Sequence, residues 1–373
     1  MVHTVVIAPD SFKGTIGAAH AAAALGDGWH RVRPHDIVRL LPMADGGEGT
    51  LDAFATALPG ARRMPITVTG PAGTPVEASW LLLPPTATDP GGIGVVELAS
   101  TSGIELLGTP PRLRPLDAGT RGFGEAIAAA LAHGVSRLVL GIGSSASTDG
   151  GTGMLTALGA RFTDAAGHPI AHGGRGVTVV AAADLSGLPP LPPRGVTVLS
   201  DVTNPLLGAW GAAAVFGPQK GAAPGDVLAL DGGLSRLAAL LPADPDVPGA
   251  GAAGGTGFGL LAWGATLVPG SAAVAELVGL GAAVAEASVV VTGEGSYDGQ
   301  SAAGKVPAHV GAVAASAGVG VALVAGRITG DADVSGFAAT ASLTELAGSG
   351  AAAMGEPARW LAEAGATLAR ALG

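Results

Sequence analysis

The sequence predicts an α/β protein with a mainly parallel sheet, and three observations lead to this prediction. Short apolar runs rich in β-branched residues recur along the 373-residue chain, and most of them stop at glycine or an acid. Alanine-rich segments separate many of these runs, and strands alternating with helices are typical of parallel sheets. Hydrophobic residues make up 48% of the chain but aromatic residues only 3%. The core is therefore expected to consist of small side chains.

Six runs are predicted strands, because continuous apolar runs of four to eight residues indicate strands covered on both faces. They are TVVIAPD (4–10), DIVRLLP (36–42), SRLVLGIG (136–143), GVTVLSD (195–201), ASVVVTGEG (287–295) and GVALVAG (320–326). The segments TIGAAHAAAALGDGW (15–29) and GFGEAIAAALAHG (122–134) are predicted helices. No basic region precedes the first run, so we expect a strand there rather than a signal peptide.

Residues 61–100 depart from this alternation. They contain three strand-like runs joined by turns rich in glycine and proline, with no helix between them, which predicts an antiparallel meander. A chain of this length also exceeds what one core usually fills. We therefore expect a second domain of different construction.

Composition excludes several classes of function. The net charge is −10, and the 19 lysines and arginines form no basic run, which argues against binding to nucleic acid or to an anionic membrane. The absence of cysteine excludes disulfides, thiolate catalysis and cysteine-ligated zinc. Acids such as Glu276 and Glu286 interrupt the alanine-rich stretches, so no transmembrane helix is predicted. A cytoplasmic protein that binds small molecules is expected.

Polar residues follow most of the predicted strands, at the edge of a parallel sheet where ligands bind. They are Asp10, Ser11, Lys13, Asp45, Glu48, Ser144, Ser145, Thr148, Asp149, Asp201, Asn204, Glu294, Asp298 and Lys305. Carboxylates hold Mg²⁺, while lysines and backbone N–H groups bind phosphate, so the set indicates phosphoryl transfer. For any single position the alternative is a helix N-cap or a turn, a role that fits Thr15, Asp149 and Asn204.

Two glycine motifs have the wrong context for nucleotide loops. GAGAAG (249–254) matches the dinucleotide pattern but follows DPDVP rather than a strand. GQSAAGKV (299–306) resembles a phosphate loop, yet Val306 stands where serine or threonine would bind magnesium. Lys305 remains a candidate phosphate ligand, because Pro307 suits the first turn of a helix whose amino end attracts anions.

Eight motifs together resemble the type I glycerate kinase family, in the family's order along nearly the whole chain. They are APDSFKGT (8–15), PMADGGEGT (42–50), GTRGFGEA (119–126), GIGSSASTDGGTGM (141–154), SDVTNPLLG (200–208), FGPQKGA (216–222), PGAGAAGG (248–255) and VTGEGSYDGQSAAGKVP (291–307). The resemblance implies ATP-dependent phosphorylation of D-glycerate with Mg²⁺, typically at the 2-hydroxyl, giving 2-phosphoglycerate and ADP.

The resemblance also implies an architecture. Residues 1–60 and 285–373 are expected to form a Rossmann-like three-layer domain, and residues 61–284 an inserted α/β domain that contains the meander. The active site is expected in the cleft between them. The expected partners are glycerate and ATP but neither nucleic acid nor membrane, and a homo-oligomer is compatible with this prediction.

Site roles follow from the resemblance together with residue chemistry. Catalytic roles are expected for Asp201 as general base, Lys13 and Asp45, and magnesium ligation for Asp45, Asp201 and Glu294. Substrate contacts are expected from Asp10, Ser11, Arg121, Glu48, Asn204 and Ser145, with the Arg121 guanidinium holding the carboxylate. Nucleotide contacts are expected from Gly293, Glu294, Asp298, Lys305, Ser144 and Asp149.

The chain departs from the family pattern at four positions. Ser144 stands where the family often has glycine and Thr148 where it has asparagine, while Ser296 and Tyr297 replace an arginine and an aliphatic residue. If that arginine holds an anion in the family, Arg121 or another base must do so here. Two alternatives stay open, namely a kinase for another small hydroxy acid or polyol, and a non-catalytic sugar-acid-binding protein.

Overall fold

The computed structural model describes residues 2–299 and 306–372. Its strands are β1 (Thr4–Pro9), β2 (Ile37–Leu40), β3 (Arg62–Thr69), β4 (Pro75–Leu83), β5 (Ile93–Glu97), β6 (Arg137–Gly141), β7 (Arg161–Thr163), β8 (Ala182–Asp184), β9 (Val196–Leu199), β10 (Thr266–Val268), β11 (Val289–Tyr297), β12 (Gly320–Ile328) and β13 (Ala339–Ser342). Its helices are α1 (Ala18–Val32), α2 (Thr50–Ala57), α3 (Leu98–Ser102), α4 (Arg121–His133), α5 (Thr152–Ala157), α6 (Gly173–Val177), α7 (Ala212–Phe216), α8 (Pro224–Leu240), α9 (Ala252–Trp263), α10 (Gly270–Leu277), α11 (Leu280–Ala285), α12 (Val306–Ser316), α13 (Leu343–Ala347), α14 (Gly350–Gly355) and α15 (Pro357–Ala371). Two further 3₁₀ turns span Ile104–Leu107 and Pro218–Lys220.

All six predicted strands form, as β1, β2, β6, β9, β11 and β12, and the two predicted helices form as α1 and α4. The strands that sequence patterns missed are β7, β8, β10 and β13, of three or four residues each. β7, β8 and β10 have three residues each, too few for a periodic pattern to be recognised. β13 is as long as β2 and β9, but its sequence ATAS is not a continuous apolar run.

Contacts divide the chain into two compact units. The first unit comprises Met1–Asp45, Asp52–Pro59 and Ser271–Gly373, and the second comprises Gly46–Leu51 and Gly60–Gly270. Each unit has its own main sheet and hydrophobic core.

The first unit is built on a five-stranded sheet in the order β13-β12-β11-β1-β2, in which every pair is parallel. Val5 and Ile7 of β1 pack into one core with residues of α1 and α15. Val6, which points to the opposite face, is also fully buried. This burial of both faces explains the continuous apolar run of β1. The edge strand β2 was predicted to be covered on both faces as well, and this was wrong, because its residues are exposed or half-buried at the edge of the sheet.

The second unit contains a six-stranded sheet in the order β10-β9-β6-β5-β4-β3. Pairing is parallel from β10 to β5 and antiparallel across β5, β4 and β3. The predicted meander at residues 61–100 is therefore confirmed, and it extends the parallel sheet at one edge. The predicted fold class, α/β with mostly parallel sheets and an antiparallel region, is likewise confirmed.

Two features of the chain bear on the excluded functions. The GAGAAG stretch runs from the loop after α8 into the first three residues of α9, so it lacks the preceding strand that the dinucleotide fingerprint requires. Across the described ranges, no helix is both long enough and apolar enough to cross a bilayer.

Candidate active site

The carboxyl end of the first-unit sheet gathers several predicted site residues. Asp10 follows β1 directly, and its N–H donates to the carbonyl of Gly293 in β11 (2.8 Å). Lys13 lies in the same loop, with Nζ 3.6 Å from Oδ2 of Asp45. Glu294 is buried next to Gly293 and acts electrostatically on Asp10. One ammonium and three carboxylates, carried by β11 and by the loops after β1 and β2, thus meet at this edge.

Negative charge dominates this edge. The pKa of Asp10 is raised to about 7, first by burial, then by the Asp45 carboxylate and less strongly by Glu294. A hydrogen bond from the Ser11 N–H (2.6 Å) and the charge of Lys13 act in the opposite direction. The exposed pair of Lys13 and Asp45 contributes little to stability. A bound cation would relieve the repulsion among the carboxylates.

The remaining first-unit candidates lie along β11 and just beyond it. A Cβ on Gly293 would lie 2.2 Å from the carbonyl oxygen of Val324, so only glycine fits there. Tyr297, one of the departures from the family pattern, is buried at the end of β11. Asp298 follows it and is half-buried. Lys305 lies outside the described residues.

In the second unit, the glycines of the DGGEG stretch (45–49) let the backbone lie against the ends of β6 and β9. Gly46 has a φ of +93°, and a Cβ there would lie 2.5 Å from the carbonyl oxygen of Leu199. A Cβ on Gly143 would lie 2.5 Å from the Cα of Gly47. The Gly143 N–H also donates to the Gly46 carbonyl (3.0 Å). Close backbone contact therefore requires these glycines.

Glu48, in the same stretch, pairs with another acid. Partial burial of its carboxyl group, followed by the charge of Glu105 and a hydrogen bond with it, raises the pKa of Glu48. Glu48 therefore takes up a proton more readily than an isolated glutamate does.

The loop between β6 and α5 holds Ser144 and Asp149 in contrasting ways. Ser144 is exposed and has a φ of +57°, in the left-handed region that residues with a Cβ seldom adopt. Asp149 is fully buried, and burial raises its pKa although its carboxylate accepts several hydrogen bonds. The donors are the N–H and hydroxyl of Thr120 and the N–H groups of Gly151 and Gly153. Asp149 lies two residues before Gly151, the N-cap of α5, so it binds N–H groups at the start of that helix without being its N-cap. The nucleotide contact of Asp149 stays a prediction.

A buried lysine, Lys220, lies against this loop, and no role was predicted for it. Its Nζ donates to Ser145 Oγ (2.7 Å) and to the carbonyl of Ser147 (2.5 Å). Burial lowers the pKa of Lys220 to about 7, and the charge of Asp149 opposes this shift. The available signal was its place in FGPQKGA (216–222), a motif shared with the resembling family.

Asp201 and Asn204 lie in the loop that follows β9. Oδ1 of the exposed Asp201 accepts a hydrogen bond from the Gly270 N–H (2.8 Å). Nδ2 of Asn204 donates to the carbonyl of Trp210 (2.8 Å) and closes the loop on itself. Both residues thus lie at the carboxyl end of the second-unit sheet.

Arg121, the predicted carboxylate clamp, already has a partner. Its Nε donates to Oε1 of Glu125, one helical turn later in α4 (2.9 Å). Glu125 also accepts hydrogen bonds from the Thr69 N–H (2.6 Å) and hydroxyl (3.0 Å). A substrate carboxylate at Arg121 would have to share the guanidinium with Glu125.

The predicted site residues thus fall into one set in each unit. The first unit brings together Asp10, Ser11, Lys13, Asp45 and Glu294, and the second holds Ser144, Ser145, Asp201 and Asn204 on strand-end loops. Of the predicted magnesium ligands, Asp45 and Glu294 belong to the first unit and Asp201 to the second. Within residues 2–299 and 306–372, no three histidine, aspartate or glutamate side chains converge as a metal site.

Comparisons with known proteins identify the family. The model of the glycerate kinase family matches residues 5–373. The glycerate 2-kinase of Escherichia coli K12 is 42% identical over 337 residues, which cover 88% of this chain and 87% of the relative. The glycerate kinase of Bacillus subtilis 168 is 43% identical over 334 residues, which cover 88% of this chain and 86% of that one.

A solved structure has the same fold. It is a crystal structure of a Salmonella typhimurium LT2 protein provisionally assigned as glycerate kinase 2, with a TM-score of 0.83 and 38% identity. The alignment covers 99% of this chain and 98% of that one. These findings confirm both the resemblance seen in the sequence and the predicted class of enzyme, a phosphotransferase with an alcohol group as acceptor. The chain belongs to the glycerate kinase family.

Proposed function

We propose that this protein transfers the γ-phosphoryl group of ATP to the 2-hydroxyl of D-glycerate, giving 2-phosphoglycerate and ADP. Family membership supports the reaction class. The observation that carries the proposal is the cluster of Asp10, Asp45 and Glu294 with Lys13 at the carboxyl end of a parallel sheet. Carboxylates that attract a cation, beside an ammonium that attracts phosphate, are what phosphoryl transfer requires.

Magnesium fits the first-unit cluster. Mg²⁺ in kinases is usually held by one or two carboxylates, with water and substrate phosphates completing its coordination, so a dedicated cage of three protein ligands is not needed. Asp45 and Glu294 would hold the ion, and the crowding of negative charge around Asp10 supports this assignment. When bound, the ion neutralises charge on the transferring phosphoryl group.

The chain's own groups would act on the phosphates and on the acceptor hydroxyl. Lys13, whose ammonium is largely exposed, would bind phosphate oxygens of ATP. Asp201 would accept the proton of the attacking hydroxyl, and Asn204 in the same loop would orient the acid. Positioning and charge neutralisation would supply most of the rate acceleration.

A coupled assay of ADP release over a panel of hydroxy acids and polyols tests this proposal. We expect D-glycerate with Mg²⁺ and ATP to release ADP at the highest kcat/KM. ³¹P and ¹³C NMR of the product should show phosphorus coupled to C2. A higher kcat/KM with another compound would identify that compound as the substrate instead of D-glycerate. Binding of glycerate without ADP release would indicate a binding protein.

A further inference from the structure

Lys220 is buried in the second unit, with only 3% of its surface exposed. Removing an ammonium group from water costs several kcal/mol even after the protein relaxes. The two hydrogen bonds to Nζ and the charge of Asp149 offset part of this cost. An exposed lysine would avoid the cost altogether, so a function that requires Nζ at this point would explain its burial.

The local sequence holds Lys220 in one conformation. It ends the 3₁₀ turn Pro218–Lys220, and its N–H donates to the carbonyl of Gly217 (3.0 Å). Gly221 follows with a φ of +92°, and a Cβ there would lie 2.9 Å from Cβ of Leu113. The tight turn and its glycines therefore aim the side chain at the loop after β6.

The hydrogen bond to Ser145 leaves the serine proton available. A lysine ammonium only donates, so Ser145 Oγ accepts from Nζ and keeps its own O–H for another acceptor. In the described part of the chain, no protein group accepts that proton. Ser145 is 7% exposed and follows the exposed Ser144, just past the carboxyl end of β6. Ligands of parallel sheets bind at this edge.

We propose that Lys220 is a positioning residue that holds Ser145 so that its hydroxyl donates to an oxyanion of a reactant. The oxyanion is either the carboxylate of the hydroxy acid or a phosphate oxygen of ATP. Ser145 makes the contact, while Lys220 fixes its Oγ and increases the polarity of its O–H bond. This inference rests on the proposed kinase function.

The geometry explains why Lys220 donates to two groups of the same loop. The bond to the Ser147 carbonyl anchors the backbone, and the bond to Ser145 Oγ sets the rotamer of the hydroxyl. An oxyanion bound at Ser145 would lie near the ammonium and favour its charged form. Because Glu125 already accepts a hydrogen bond from Nε of Arg121, the pair of Ser145 and Lys220 would also supply the carboxylate contact that was predicted for Arg121.

The experiment compares three variants with the wild type. Ser145→Ala removes the donor, Lys220→Met removes the positioning amine at similar length, and Ser147→Ala is the matched control. Ser147 Oγ is buried and has no hydrogen-bond partner among the described residues, and its contact with Lys220 uses only the backbone. The control should therefore keep the wild-type KM and kcat.

Steady-state kinetics with each reactant varied in turn gives the decisive numbers. We expect Ser145→Ala to raise one KM about 10- to 100-fold, the range for a lost hydrogen bond to a charged group. If only the KM for the hydroxy acid rises, the oxyanion at Ser145 is the carboxylate. If only the KM for ATP rises, it is a phosphate oxygen. Lys220→Met should raise the same KM, and the double variant should show much less than the product of the two effects.

Several outcomes would overturn the inference. If Ser145→Ala leaves both KM values unchanged, Ser145 contacts neither reactant and the inference is wrong. This test remains valid even if Lys220→Met fails to fold. If the KM increase in the double variant equals the product of the two single increases, Lys220 acts independently of Ser145 and has only a structural role. If the wild type releases no ADP with any acid, the proposed function fails on its own. Isothermal titration of glycerate and of ATP into wild type and Ser145→Ala then tests the contact directly, and equal affinities would refute it.

Discussion

At the scale of single residues, Asp201 is the group whose removal tests proton transfer most directly. Replacing Asp201 with Asn should lower kcat by about 10² or more, because an amide cannot accept the hydroxyl proton. An Asn side chain keeps an oxygen acceptor for the Gly270 N–H, so the loop should stay in place. Asp184→Asn, at the exposed end of β8, serves as the control for a lost charge. Single-turnover rates close to wild type would remove Asp201 from the role of base.

Ser144 carries backbone strain that a single substitution can relieve. Its φ of +57° is unfavourable for a residue with a Cβ, by roughly 1–2 kcal/mol. Glycine removes that penalty but adds entropy to the unfolded chain, about 0.4–1 kcal/mol. Ser144→Gly should therefore raise the free energy of unfolding by up to about 1.6 kcal/mol.

Urea denaturation measures the effect at Ser144, and Ser147 provides the control. Ser147 lies in the same loop without a positive φ. Ser147→Gly should therefore lower the free energy of unfolding. If both substitutions destabilise the protein equally, the strain at Ser144 has no energetic consequence. The glycine that the family often carries at this position agrees with the expected direction.

At the scale of elements, the contact between α1 and α15 depends on glycine. A Cβ on Gly28 would lie 1.9 Å from the carbonyl oxygen of Ala362, and one on Gly365 would lie 2.2 Å from that of Leu25. These obstacles are backbone atoms, so a side chain cannot rotate away. Gly28→Ala should lower the free energy of unfolding by about 1–3 kcal/mol or more, the usual cost of overpacking.

Gly311 in α12 is the matched control for Gly28. A Cβ there meets nothing within 4 Å, so Gly311→Ala should stabilise its helix by roughly 0.5–1 kcal/mol through reduced backbone entropy. Opposite signs in thermal or urea unfolding would support the packing argument. Stabilisation by both substitutions would show that backbone entropy outweighs the contact, and destabilisation by both would show that the space around the added Cβ does not decide the sign.

At the scale of the whole molecule, Asp10 links stability to pH. Its pKa is about 7 in the folded protein, against an ordinary value of 3.8 for an aspartate, so between these values the native state binds more protons than the unfolded state. The free energy of unfolding should therefore fall as pH rises from about 4 to about 7. Below pH 4 the carboxyl is protonated in both states, and above pH 7 it is ionised in both.

Asp10→Asn isolates this effect. In denaturation experiments with EDTA, the free energy of unfolding of the variant should increase relative to that of the wild type as pH rises from about 4 to 7. Above pH 7 the difference between the two proteins should stay constant. Added Mg²⁺ should reduce the difference, because a cation at the carboxylates lowers the pKa of Asp10. A difference independent of pH would mean that Asp10 ionises normally.

The strands and the loops that follow them could be predicted from local pattern alone. A strand buried on both faces needs a continuous apolar run, so β1, β6, β9, β11 and β12 appear directly in the sequence. The polar residue after each run marks the ligand-binding edge for the same reason. The ion pair between Arg121 and Glu125 is also a local feature, since its i,i+4 spacing was visible in the sequence.

The sequence by itself therefore determined the fold class, the antiparallel meander, the family and the strand-end loops that carry Asp10, Asp45, Asp201 and Glu294. Tertiary structure alone decided which distant groups meet. Lys220 and Ser145 are 75 residues apart, and Glu48 meets Glu105 from a different loop. Local patterns encode which residues are buried, because burial follows periodicity. Which distant residues contact each other depends on the tertiary arrangement of the elements, and no short stretch of sequence encodes that arrangement.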